Sequence, residues 1–178
     1  MKKLLVLIAF ISVSVLNTAS AQVAATLNIT LGDVLSFSVT QPSSLNVNFD
    51  TEAKYNNGIT SLATDHISVI SSRGYVVKAI AGTVTGTAAL APGSVKLSSA
   101  IGASNNGNTS GITYGSAVTL PASSGSAATV ITATNSSWSG ANSTNKFNIS
   151  YLIGAGGTYA GKATGLNVIP VVYTVTQQ

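Results

Sequence analysis

The 178-residue chain has eight Lys and Arg, four Asp and Glu, one His and no Cys, and Lys2 and Lys3 account for half of its formal net charge of +4. The remaining cations (Lys54, Arg73, Lys78, Lys96, Lys146, Lys162) are scattered, so the clustered positive track that binds a phosphate backbone is missing and nucleic acid is not an expected partner. A disulfide scaffold is excluded, and 45% hydrophobic with 7% charged residues is not the composition of a disordered chain.

The first element in chain order is an expected signal peptide, residues 1–21. Lys2 and Lys3 form its positive end, 4–16 its apolar run and Ala19-Ser20-Ala21 its small-residue cleavage site. The apolar run is shorter than the roughly 20 residues that span a bilayer, and no later segment is long and apolar enough. The chain from Gln22 is therefore expected to be exported, to pass through the periplasm and to act outside the cell or at its surface, with no transmembrane segment. From there "QVAATLNITLGD" sets Val23, Ala25, Leu27, Ile29 and Leu31 against Ala24, Thr26, Asn28 and Thr30. Period-two alternation marks a strand with one dry face. Whether that face completes its own core or a neighbouring copy's stays open at this level.

Further alternating runs follow. Leu35, Phe37 and Val39 share a face, then Leu45, Val47 and Phe49, then Tyr75, Val77, Ala79 and Ala81, and later Phe147, Ile149, Tyr151 and Ile153. Shorter runs at 66–71, 94–98, 117–120 and 127–133 are expected strands too. The closing "NVIPVVYTVTQQ" is rich in good strand formers. Pro170 within it cannot donate to a ladder, so it belongs to an edge, a bulge or the strand's true start. Turn chemistry ("YNNG", "SRG", "APG", "ASNNGNTSG", "ASSGS", "GAGG") separates the runs, and no sustained helical period occurs beyond the signal. Roughly eight to ten short strands at this spacing predict one all-β domain over 22–178, a sandwich or barrel.

Catalytic chemistry has little to work with. A triad would need His66, and its neighbour Asp65 points to the opposite face of a regular strand. Asp50 and Glu52 could share a face, but two loop acids are too few for an ion site. "GAGG" precedes a β-type run rather than a helix and is expected to be a hairpin loop. No catalytic, metal or cofactor-binding residue is expected, and the chain is read as non-enzymatic. Lys78 and Lys146 would form side-chain cross-links with Asn only if buried with an acid. Trp138, in "NSSWSGANSTN", is either an exposed ring that stacks on a sugar or surface, or a loop residue plugging one end of the sandwich. A lone aromatic defines no platform, which favours the plug. Trp138 is nonetheless the one candidate surface-contact residue.

Together "QVAATLNITLGDVLSFSVT", "LNVNFDTEAKYNNGI", "ISVISSRGYVVKAIAG" and the terminal "GTYAGKATGLNVIPVVYTVTQQ" resemble exported bacterial β-sandwich proteins of the spore-coat-U-like and archaic chaperone–usher pilin group. The "AQ" at the cleavage site is similar to exported proteins of the Bacteroidetes lineage. The resemblance implies a single immunoglobulin-like sandwich of antiparallel strands, assembled with identical or related subunits into a surface fibre. It also implies a periplasmic chaperone and an outer-membrane assembly protein as partners. Residues 22–31 then have the position of a donor strand, with Val23, Ala25, Leu27, Ile29 and Leu31 as the inserted side chains. The alternative is a monomeric secreted domain that binds a surface or glycan, with Trp138 and the 103–111 loop at its tip. Many such pilins carry a disulfide, which this chain lacks.

Overall fold

The computed structural model describes residues 27–40, 44–141 and 143–178; the expected signal peptide, Val23 and Ala25 lie outside them. Asp33–Gln178 forms one compact unit. Its order is β1 (Leu35–Val39), helix α1 (Glu52–Asn57), β2 (Ile59–Ser71), β3 (Tyr75–Ala81), β4 (Thr85–Gly86), β5 (Val95–Ile101), β6 (Ile112–Tyr114), β7 (Val118–Thr119), β8 (Ala128–Ala133), β9 (Asn145–Ile153), β10 (Asn167–Val168) and β11 (Val171–Gln177). One sheet runs β1-β2-β9-β5-β7 and the other β11-β3-β8-β6, every pairing antiparallel; β10 and β4 form a separate ribbon. The chain is an all-β, sandwich-like protein.

Alternation makes these strands. In β3 the buried residues are Tyr75, Val77, Ala79 and Ala81; in β9 they are Asn145, Phe147, Ile149 and Tyr151. With Ile67, Val69, Leu97 and Ile131 the apolar ones among them form one core drawn from both sheets. Branched and aromatic side chains on one face suit a pleated, half-buried surface. A large bulge interrupts β2: Ala63 faces Ile149 and Ile67 faces Phe147, so four steps on β2 oppose two on β9. Asp65 takes a positive φ there (47°), and His66 turns into the interior.

Two expectations need correction. Residues 45–49 alternate between half-buried Leu45, Val47, Phe49 and exposed Asn46, Asn48, yet pair with no strand. Phe49 instead packs its ring on Tyr55 and Tyr159. Helix α1 was not expected either. Thr51 caps its start, its Oγ1 accepting from the Lys54 N–H at 3.4 Å, and Gly58 ends it at φ 75°. A Cβ on Gly58 would stand 2.6 Å from the Ile153 carbonyl oxygen.

The two lateral sides of the unit differ. On one, the chain passes from sheet to sheet between β6 and β7. Gly115 donates its N–H to the Val130 carbonyl at 2.8 Å, and its own carbonyl accepts from the Ser99 N–H at 2.8 Å. A Cβ there would meet Val118 and the Val130 oxygen within 3 Å, so only glycine fits the crossing. On the other side lie β1 and β11, edge strands of different sheets, each with a single ladder neighbour.

Candidate interaction surface

On the β1 and β11 side the core is incompletely covered. Leu35 and Val39 of β1 are exposed, while Phe37, Val171, Tyr173 and Val175 are only partly buried against the core. Near one end Gln177 ties the two strands: its Nε2 donates to the Val34 carbonyl at 2.7 Å and to Ser71 Oγ at 3.0 Å. Among the described residues no hydrogen bond joins β1 to β11 farther along.

A polar chain lies beneath this seam. The His66 ring, 5% exposed, sits 3.1 Å by Nε2 from the Tyr151 hydroxyl, which lies 2.7 Å from the Tyr173 hydroxyl. Both tyrosine rings meet the imidazole edge-on. His66 also accepts at its carbonyl from the Thr40 N–H, at 2.7 Å, just beyond β1. It therefore touches both edges, β1 through its backbone and β11 through two hydroxyls. Burial pushes the His66 pKa below its ordinary value, the Thr40 backbone offsetting part of this, and burial raises both tyrosines.

The residues ahead of Asp33 have a different character. Leu27, Ile29 and Leu31 are 80%, 71% and 91% exposed, and 27–32 joins no ladder. Of the five expected donor residues, these are the three the structure describes.

Trp138 is not a plug. The residue is 46% exposed and outside the core, so the reading favoured because a lone aromatic defines no platform is overturned. Ser137 fills the interior position instead. Its Oγ accepts from the Ser71 N–H at 2.9 Å, and its backbone N–H donates to the Ser71 carbonyl at 2.9 Å. Alternation along an extended loop then turns Trp138 outward. The 103–111 loop is knit to this one: the Asn108 N–H donates to the Ser137 carbonyl at 2.8 Å, and Ser139 Oγ to the Asn106 carbonyl at 2.8 Å.

The remaining candidates separate. Asp65 Oδ1 accepts from the Ser104 N–H, away from the tyrosines that His66 meets, so the two do not form a dyad. Asp50 pairs with Lys54 at 2.6 Å, which lowers its pKa, rather than with Glu52. Lys78 is exposed and Lys146 half-buried, and the buried polar residues (His66, Ser71, Ser99, Ser137, Ser143, Asn145) include no acid or lysine, so the cross-link geometry is not assembled. Neither a scan of protein-family models nor a search of curated proteins finds a match to this chain.

Sequence reasoning missed His66, Tyr151, Tyr173 and Gln177 as a group. Tyr151 was visible on the alternating face of its strand, and Tyr173 only as a strand former of the closing run. His66 was not, because only the bulge turns it inward.

Proposed function

We propose that this chain is an exported, non-enzymatic structural subunit of a cell-surface fibre or pilus-like assembly, polymerising by β-strand addition. The observation that carries the reading is the exposed alternation of Leu27, Ile29 and Leu31 outside any ladder, in a protein whose β1 and β11 edges leave apolar side chains half-covered. Exposed alternating apolar residues suit a neighbour's sheet edge: main-chain bonds give affinity and alternate side chains fill the gaps. The segment and the edges are different parts of the chain, so a contact between them is head-to-tail and grows filaments. Uncovered apolar edges need protection before assembly, which suits a periplasmic chaperone and an outer-membrane assembly protein as partners.

Electron microscopy and sizing of the chain from Gln22 test this, beside the same chain with Leu27, Ile29 and Leu31 each changed to Asp. Filaments from the first and folded monomers from the second are expected. Folded monomers from both would refute strand addition.

The exposed ring of Trp138, backed by the 103–111 loop, favours a second reading as a monomeric domain that binds a glycan or other surface. Glycan binding by the monomer that disappears in Trp138→Ala would support it.

A further inference from the structure

Trp138 and the start of the compact unit share one end of the molecule. The Trp138 loop bonds to Ser71 through Ser137, the Val34 N–H donates to Ser72 Oγ at 2.9 Å, and Asp33 pairs with Arg73 at 2.8 Å. The segment 27–32 joins the unit here. At the far end of β3, about 20 Å away at a strand's usual rise, the Ala81 N–H donates to the Pro121 carbonyl and the Gly82 N–H to the Pro170 carbonyl. Beside these turns lies an open hollow of about 370 Å³, lined by Val84, Leu90, Ala91, Pro92 and Ala122 together with Gly82 and hydroxyls. No charged residue lines it, and none occurs between Lys96 and Lys146, the stretch that contains Trp138.

We infer that the Trp138 indole of one copy seats in this hollow on the next copy, forming a second contact between subunits. The inference rests on the strand-addition reading above, which commits the occupant to a second copy of the chain. A segment leaving at the Trp138 end reaches a copy lying beyond that end. Gln177 ties β1 to β11 at the Trp138 end, so a strand arriving between them enters from the hollow end. Each Trp138 end then faces a hollow end. The hydrogen bonds of Ser137 and Ser139 hold the loop in place, so the ring is presented without a large ordering cost. An exposed indole and an uncharged hollow of mixed apolar and hydroxyl lining are complementary: neither surface strips a charge of its water, and the indole N–H can meet a hydroxyl. The two patches are different and lie at opposite ends, so the contact does not close on itself.

Trp138 is the chain's single tryptophan, so its fluorescence reports this contact alone. The chain from Gln22 would be compared with the Leu27, Ile29 and Leu31 to Asp variant at equal concentration, using emission and acrylamide quenching, with electron microscopy alongside. Filaments with blue-shifted emission and several-fold weaker quenching than the variant are expected. Ala122→Lys, at an exposed lining position, should restore monomer-like quenching and shorten the filaments while leaving circular dichroism unchanged. Filaments whose Trp138 stays as quenchable as in the monomer would overturn the hollow contact and leave strand addition standing. Normal filaments and protected Trp138 in Ala122→Lys would overturn it as well. Folded monomers from the Gln22 chain would remove strand addition, and this contact with it. Protection of Trp138 in the monomeric variant by added soluble oligosaccharides would give the ring to a sugar instead.

Discussion

Replacing Ile29 by Ala separates a donated segment from one that belongs to its own core. The change removes three methyl or methylene groups, worth ~0.8 kcal/mol each on full burial, or about 2.4 kcal/mol. Ile29 is 71% exposed in the single chain, so about that share of the burial remains to be gained on contact with a neighbour, roughly 1.7 kcal/mol. At 1.4 kcal/mol per tenfold, the subunit contact weakens by about 15- to 20-fold. Sedimentation of the chain from Gln22 across a concentration series reads this as a rise in the concentration at which filaments give way to monomers. Urea unfolding of the monomer should not move, because an exposed side chain contributes little to its own fold. An unfolding midpoint lowered by the full ~2 kcal/mol or more expected for a buried Ile, with assembly unaffected, would refute the reasoning. It would place Ile29 in its own core.

Other predictions follow from buried groups. Burial lowers the His66 pKa, so below about pH 6.5 the unfolded chain takes up a proton that the folded state resists. Stability is then whole above that pH and falls as the pH drops below it, by at most ~1.4 kcal/mol per unit, a slope that urea titrations should find reduced in His66→Gln. Tyr173→Phe removes one hydroxyl from the His66–Tyr151–Tyr173 chain but keeps the ring; thermal unfolding should show a loss of about 1 kcal/mol. Ser137→Ala strands the Ser71 N–H in the interior and should cost about 1–3 kcal/mol, with Trp138 in the monomer becoming more quenchable as its loop loosens. Gly115→Ala would push a methyl into Val118 and the Val130 oxygen, so hydrogen exchange should rise first at β6, β7 and the Val130 region.

Strands whose alternation is backed by burial were legible within a residue or two. In β3 and β9 the alternating positions are the ones that pack, Tyr75, Val77, Ala79 and Ala81 in the first and Phe147, Ile149 and Tyr151 in the second, whereas β8 also buries the adjacent pair Val130 and Ile131 and β11 starts only after Pro170. The same signal misled at 45–49, because period two marks an extended chain with one dry face and says nothing about whether its backbone finds a ladder partner. Helix α1 has six residues, fewer than two turns, too few for a helical period to show. The inward turn of His66 depends on two extra residues in β2 relative to β9, a property of the pair that no local pattern in either strand contains. Trp138 was misjudged because a lone aromatic was taken to define no platform. Its neighbour Ser137 is buried because Ser71 needs a hydrogen-bond partner, and that leaves the larger ring outside. The alternation of Leu27, Ile29 and Leu31 was legible from residues alone, whereas the β1 and β11 edges required the topology.

The asymmetry of the two sides bears on what strand addition would build here. Natural sheets protect exposed edges with charge, proline, bulges or very short strands. β1 carries no charge, and β11 none after Pro170. On the opposite side β7 is two residues long and β6 three, and Gly115 sews them to Ser99 and Val130 of both sheets. Protection there comes from the chain itself, so among the described residues the β1 and β11 side is the one that offers a long uncovered edge. One acceptor side and one exposed N-terminal segment per copy give each subunit one neighbour ahead and one behind. Strand addition would then build an unbranched filament rather than an aggregate. A charge added in the middle of β1, such as Phe37→Lys, would test this in the same electron micrographs. It should stop growth at the acceptor and leave the N-terminal segment able to cap wild-type filaments, so substoichiometric variant should shorten them. Side-by-side clumping in its place would mean that the edges attract without polarity, and the filament argument would fail.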